Sequence, residues 1–532
     1  MSARVKEGEG EGRSLVRSAG LISALTLVSR VLGLVREQAF AALLGAGLYA
    51  DAFNIAFRIP NLLRDLFAEG ALSAAFMPTY TRTLAEQGRE GAHRLASRLL
   101  TLLAVILGAL MIVGAFLASP LVSALAGGFG SVPGKHDVTV QLTRVMLPFL
   151  PLVSFAAVAM GMLNAEQKYG PPALSPALFN VVTIAWATGL WCLGLPAEQV
   201  AFGWALGTVL GGAAQFLVQV PALRRGGWRF RMEWAPADPG IRQIGSLMGP
   251  ATLGLAAVQV NIFISSYFAS HEPSAVSWLN YAFRLLYLPI GLFGVAVSTI
   301  ATTGLARRAA VGDMDGLRHT LRQSLRLLAF LTIPSTAGLI ALAVPIIRLL
   351  YERGAFTSSD TPGTATALVL YSLGLVAYTA VKVLAPAFFA LGNPRVPLLG
   401  SAMAVVTNLT VIFCLYDGLG FRAVALGVSA GSWVNALILL AVFERRLGGL
   451  LGQGLTAVLG RMLVAALVLM VAAKGALGVL EGVMGTSGLL AQLVTALVPV
   501  AVGVLTYGAM ARLLRIPEAG AVLSLLPGRR RL

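Results

Sequence analysis

Asn54-Ile55-Ala56-Phe57-Arg58 returns 226 residues later as Asn280-Tyr281-Ala282-Phe283-Arg284. The same shift pairs Leu66 with Leu292, Phe67 with Phe293, Ala75 with Ala301, Arg82 with Arg308 and, much further along, Pro171 with Pro397. A register kept over that much chain reads as an internal duplication. Both copies lie in long apolar stretches, so the next question is which solvent surrounds them.

Of the 532 residues 57% are hydrophobic and 12% charged, against about 25% charged in soluble domains. A helix of about twenty apolar residues crosses a bilayer with every backbone group satisfied. Fourteen such runs lie near 19–44, 52–80, 99–126, 139–163, 173–193, 199–223, 244–270, 275–304, 327–350, 363–391, 396–416, 421–443, 461–480 and 488–511. Each copy of the repeat holds six, and an even number leaves both copies in the same orientation. The expected fold is an all-α polytopic membrane protein of about fourteen transmembrane helices, with two parallel six-helix repeats plus two C-terminal helices. Parallel repeats of this kind are a transporter architecture. The division runs as a cytoplasmic N-terminal arm (1–18), an N-terminal lobe (19–223), a cytoplasmic linker (224–243), a C-terminal lobe (244–443), two extra helices (461–511) and a cytoplasmic tail (512–532).

Twenty-eight of the forty Lys and Arg residues fall in the two ends and in alternate segments between runs, whereas the opposite segments hold only Lys135, Arg348, Arg353, Arg422 and Lys474. The positive-inside rule then puts both termini in the cytoplasm. The excess of +17 is therefore topology, not the basic face of a nucleic-acid binder. The first run is too long, and too directly followed by a second, to be a signal peptide. Cys192 and Cys414 read as small core residues, and His93, His136, His271 and His319 as scattered surface residues, with no metal-ligand spacing. The stretch Gly128 to Lys135 lacks phosphate-loop spacing and continues with His136 where Ser or Thr is needed, which disfavours an ATP-driven pump.

Seven basic residues fall inside runs: Arg30, Arg36, Arg58, Arg64, Arg144, Arg284 and Lys382. An arginine at the bilayer centre costs about 2.5–3.5 kcal/mol on insertion scales, so each faces a polar cavity or snorkels. Arg144, at a run's edge, reads as an interface anchor. The first two runs set four arginines against Glu37, Asp51, Asp65 and Glu69, with Asp51 expected at the outer surface. The interior is then net positive and suits an anion, and the planar arginine fork suits a diphosphate in particular. The bland alternative is that the arginines pair with those carboxylates and brace helices.

The strings Ser29-Arg30-Val31-Leu32-Gly33-Leu34-Val35-Arg36-Glu37, Gly45-Ala46-Gly47, Asp51-Ala52-Phe53, Pro60-Asn61-Leu62-Leu63-Arg64 and Phe67-Ala68-Glu69-Gly70-Ala71 resemble the MurJ (MviN) family. So do Tyr351-Glu352-Arg353-Gly354-Ala355-Phe356-Thr357 and Val381-Lys382-Val383-Leu384-Ala385-Pro386. The resemblance implies the MOP-superfamily fold and a lipid II flippase of peptidoglycan synthesis in the bacterial inner membrane. It implies substrate binding by Ser29, Arg30, Arg36, Arg64 and Arg284, and gating or charge-pairing by Glu37, Asp51 and Glu69. It further implies a head group in the cavity and a polyprenyl tail in lipid, beside the last two spans. The implied partners are lipid II and the membrane, with cell-wall synthesis or division proteins as further candidates. No catalytic residue, metal or cofactor is expected, and coupling is to the membrane potential or an ion. Tyr287 departs from relatives that carry a glutamate there. Open alternatives are a flippase for another polyprenyl-linked oligosaccharide and a membrane enzyme acting on a lipid diphosphate. The arginine surplus speaks against an exporter of organic cations.

Overall fold

The computed structural model describes residues 24–64, 71–449 and 454–523. The arm 1–18, Asp65, Glu69 and the end of the tail lie outside the described residues. Among them every regular element is helical, and ten helices are long and apolar enough to cross a membrane, with one bent pair adding an eleventh. Helices 24–44, Leu48–Arg64 and Pro239–Ala269 lie in the first, second and seventh apolar runs.

The chain divides into two compact units. The first contains α1 (24–44), α2 (Leu48–Arg64), α3 (Ala71–Phe116), α4 (Ala118–Leu125), α5 (Lys135–Met146), α6 (Phe149–Ala165), α7 (Gly170–Leu193), α8 (Ala197–Leu217), α9 (Val220–Arg225) and α10 (Pro239–Ala269). Gly88, at φ 71° and ψ −173°, breaks α3 into a short entry helix and a long span. One core joins Phe76, Leu99 and Leu103 of α3 to Met162 of α6, Trp228 and Ile244. A second is a chain of rings from Trp204 through Phe40, Phe53, Phe57 and Phe149 to Phe179, with centroids 5.1–6.1 Å apart. It ties α1, α2, α6, α7 and α8 together, and such pairs add about 0.5–1.5 kcal/mol each beyond area burial.

The second unit contains α11 (Ala275–Pro289), a π-helical turn (Ile290–Gly294), α12 (Val295–Ala310), α13 (Met314–Ala341), α14 (Ala343–Tyr351), α15 (Asp360–Ser372), α16 (Leu375–Ala390), α17 (Arg395–Leu419), α18 (Phe421–Leu447), α19 (Leu455–Met484), α20 (Leu489–Leu513) and α21 (Pro517–Leu523). The two helices outside the repeat, α19 and α20, are fastened to α13 and α14. Apolar packing joins Phe330 and Ile333 to Met462, Leu469 and Tyr507. At one end Arg326 holds Glu518 at 2.6 Å, and at the other Arg348 holds Glu481 at 3.0 Å.

The repeat is plainer in helix ends than in residue identities. The 226-residue shift lays α4 on α14, α5 on α15, α6 on α16 and α7 on α17, each end agreeing within one residue. By the same shift α10 corresponds to α1, yet by packing it belongs to the first unit, where Ile241 and Ile244 enter the α3 core.

Lipid offers apolar side chains no reason to leave it, so membrane helices associate by close approach of small residues. In α8, Gly203, Gly207 and Gly211 recur every fourth residue and face Leu190, Trp186 and Phe179 of α7. In α18, Gly427 and Gly431 face the backbone carbonyls of Asn408 and Ala404 in α17. A Cβ on Gly431 would stand 2.6 Å from that Ala404 oxygen, and no side chain can yield there. Gly431→Ala is therefore expected to destabilise by about 1–3 kcal/mol through overpacking, read as a lower thermal unfolding midpoint. Gly418→Ala, with nothing within 4 Å, is the control and holds its midpoint. Equal midpoints for the two variants would contradict close packing of α17 on α18.

Candidate functional site

The residues singled out from the sequence lie on three helices. Ser29, Arg30, Arg36 and Glu37 are on α1, Asp51 and Arg64 at opposite ends of α2, and Arg284 on α11 in the second unit. Six helical residues separate Arg30 from Arg36, a rise of about 9 Å and a rotation of about 120°. Arg30 is exposed and Arg36 half-buried. Arg36 donates to Glu37 at 2.7 Å, and its guanidinium carbon lies 5.0 Å from the Phe179 centroid, where the ring chain ends. The next residue of α7, Asn180, donates to the carbonyl of Ser29 at 3.0 Å. Gly33 lies beside it, where a Cβ would stand 3.7 Å from the Asn180 amide nitrogen, an ordinary contact. Phe179 and Asn180 thus brace both ends of the segment that carries the two arginines. Arg36 sets one face against the ring and donates to Glu37 through a guanidinium that carries five donors in all.

On α2 the acidic residue is in the first turn and the basic one in the last, the arrangement the helix dipole favours. Arg64 and Arg284 are both half-buried. Arg284 precedes Pro289 and the π-helical turn Ile290–Gly294, an interruption often found at functional sites. Tyr287, one turn on, is exposed and lies 5.9 Å from the Phe283 ring.

The expectation of a surface position changes at Asp51, which is fully buried within the protein, and Lys135 is buried beside it. The Lys135 ammonium donates to Asp51 at 2.7 Å and lies 4.1 Å from the Phe129 centroid. The backbone N–H of Ser274 also donates to Asp51, at 3.0 Å. Eighty-four residues separate carboxylate from ammonium, so no local pattern could have paired them. The nearby glycine-rich stretch is structural: the N–H of Gly128 donates to the Ser270 hydroxyl at 3.0 Å, and a Cβ there would strike the backbone of Ser270 and His271. The string around Gly354 has a similar cause. In the first unit, Ala355 donates to the Ala42 carbonyl at 2.8 Å, and Gly45 and Gly354, both at positive φ, leave no room for a Cβ against the opposing backbone.

Two further expectations change. His93 is half-buried, with its Nε2 3.3 Å from Glu166, and the same carboxylate accepts from Tyr80 at 3.2 Å and Lys168 at 2.8 Å. Burial pushes the Glu166 carboxyl upward, but its hydrogen bonds from Lys168 and His93 outweigh this and hold it below the usual range. Only the nearness of Lys168 in sequence hinted at this cluster. Cys192 and Cys414 are exposed rather than core residues. An apolar run does not distinguish the face turned to lipid from the face turned to protein.

Arginines held on helices of a duplicated bundle define a multi-pass membrane protein of the transporter type. Comparison with known proteins agrees. A solved structure described as lipid II flippase MurJ in an inward closed conformation superposes with a TM-score of 0.75 at 25% identity, covering 93% of this chain and 99% of that one. An inward-facing multidrug-resistance MATE transporter of the MOP superfamily gives 0.66 at 18% identity over 81% and 98%, a likeness of fold. The family model described as Lipid II flippase MurJ matches residues 40–495. A probable lipid II flippase MurJ of Vibrio cholerae is 38% identical over 429 residues, covering 79% of this chain and 81% of its own. Lipid II flippase MurJ of Burkholderia cenocepacia is 34% identical over 439 residues, 81% and 84%. The chain belongs to the MurJ family.

Removing one partner of a buried ion pair costs about 3–5 kcal/mol, because the other charge stays buried. Lys135→Met is expected to lower the thermal midpoint sharply, and Asp51→Asn in the same chain to recover much of the loss while keeping an acceptor for Ser274. Strictly additive effects in the double-mutant cycle would show that the pair carries no such coupling.

Proposed function

We propose that this chain is a lipid II flippase. It moves the polyprenyl-diphosphate-linked peptidoglycan precursor from the cytoplasmic to the outer face of the bacterial inner membrane, by alternating access between the lobes 19–223 and 244–443. The observation that carries the reading is the retention of Arg30, Arg36, Arg64 and Arg284 inside apolar helices of a chain of this family. Charge at that depth is expensive unless something anionic uses it.

In this reading Arg30, Arg36, Arg64 and Arg284 hold the diphosphate, with Ser29 beside them, by paired donation from planar guanidinium groups. Glu37 keeps Arg36 in place, and Asp51 and Glu69 act in gating or charge-pairing. Nothing is made or broken covalently, so no cofactor or metal is required. Outward movement of an anion from a negative interior gains about 2.3 kcal/mol per charge per 100 mV, which lets the membrane potential, or an ion moved with it, drive the cycle. Both termini are cytoplasmic, and cell-wall synthesis or division proteins are the natural partners.

Alanine variants of Arg30, Arg64 and Arg284 are expected to reach the membrane in normal amount while lipid II translocation falls by tenfold or more. A charge-assisted hydrogen bond is worth about 1.5–3 kcal/mol. Arg284→Lys keeps the charge but not the fork and retains partial activity at most. Arg36→Ala also removes an ion-pair partner of Glu37, so Arg36→Ala with Glu37→Gln separates binding from bracing. Arg144, exposed and donating to the Ala115 carbonyl at 3.1 Å, is the control, and Arg144→Ala stays active. Normal translocation by the well-expressed alanine variants would rule out the arginine cavity.

A further inference from the structure

Between α9 and α10 the chain runs without helix from residue 226 to 238, and residues 228–235 lie extended against α3. Two hydroxyls one helical turn apart on α3 receive this strap: the N–H of Arg231 donates to Ser97 at 3.5 Å and that of Glu233 to Thr101 at 3.2 Å. The fit is geometric, since one turn of helix rises about 5.4 Å and two extended residues span about 6.6 Å. Between those hydroxyls Arg98 grips both acidic side chains of the segment, Glu233 at 3.0 Å and Asp238 at 2.6 Å. Trp228 anchors the near end in the α3 core at 4% exposure.

What the strap leaves outside is unusual for a linker. Phe230, Met232 and Trp234 are 51%, 81% and 60% exposed, and Arg224, Arg225, Arg229 and Arg231 are exposed among and before them. In water, three such side chains would be turned inward or kept small. The depth at which they sit explains them. Thr101, which holds Glu233, belongs to the third apolar run, and Val105, one turn further along, is already exposed toward lipid. The large apolar groups of the strap therefore lie where hydrocarbon begins, the level favoured by tryptophan and by arginines that bury their stems and raise their heads. Glu233 and Asp238 are both drawn onto Arg98, one cation against two carboxylates, and Arg224, Arg225, Arg229 and Arg231 leave the segment net basic.

We propose that this strap is an interfacial lipid-binding element that seats Phe230, Met232 and Trp234 in the membrane boundary and takes the phosphodiester head groups of anionic phospholipids on Arg224, Arg225, Arg229 and Arg231. It holds the linker against the bilayer and keeps α3 and α10 joined at a fixed depth. Each arginine near an anionic surface contributes about 1 kcal/mol, or about fivefold in association.

The test uses the full chain in phosphatidylcholine vesicles with a fixed fraction of brominated phosphatidylglycerol or, separately, brominated phosphatidylcholine. Trp234 emission is obtained as the difference between the parent protein and Trp234→Phe. Brominated phosphatidylglycerol is expected to quench Trp234 more strongly than brominated phosphatidylcholine. Arg229→Gln and Arg231→Gln should each reduce that preference about fivefold, without moving the thermal midpoint, because the strap's carboxylates are held by Arg98 and by the first turn of α10. Equal quenching by the two lipids would leave apolar seating without head-group recognition and overturn the proposal. No quenching by either would place the strap in water, where its apolar row would fit a protein partner instead.

Discussion

Positive charge fixed at bilayer depth is the constraint on which the rest of this molecule turns. Arg30 and Arg36 ride on a single helix whose outward face is otherwise Leu27, Val28, Val31 and Val35. Each arginine there is costly unless it is braced, solvated in a cavity or used by a ligand. Bracing is visible at Arg36, between Glu37 and the Phe179 ring, and at Ser29, whose carbonyl takes the Asn180 amide. Both braces come from one turn of α7, which Gly203, Gly207 and Gly211 let settle against α8. The ring chain from Trp204 to Phe179 holds these helices to α2 and α6. A packed apolar frame thus braces Arg36 and the backbone at Ser29.

The same contrast decides what could be read from the sequence. Apolar run length and the 226-residue shift concern the bilayer and the duplication, and both carried over into helices. The duplication is even sharper in the structure, with α5 on α15 and α6 on α16 end for end. Packing preserves where a helix must start, bend and stop, whereas side chains turned to lipid drift freely among apolar types. Contacts between distant positions were not legible. Nothing local paired Lys135 with Asp51, and His93 looked like a surface residue until Glu166 stood beside it. Hydropathy treats lipid and protein as the same apolar neighbour, which is why Cys192 and Cys414 were misplaced.

The second unit shows how helices outside the repeat are accommodated. α19 and α20 lie on α13 through an apolar seam closed at its two ends by Arg326–Glu518 and Arg348–Glu481. Tyr507 adds a hydrogen bond to the Phe330 carbonyl at 3.1 Å. Near Arg284, Pro289 and the π-helical turn interrupt the helix, and Gly294 lies close against Thr379 and Lys382 of α16.

All of this rests on the claim that the arginines exist to carry lipid II. The most direct measurement is depletion of the protein from growing cells, followed by assay of lipid II on each face of the inner membrane. The account predicts that lipid II accumulates on the inner face while the outer-face pool collapses, and that the parent gene restores both. An outer-face pool that persists unchanged after the protein is gone would contradict it.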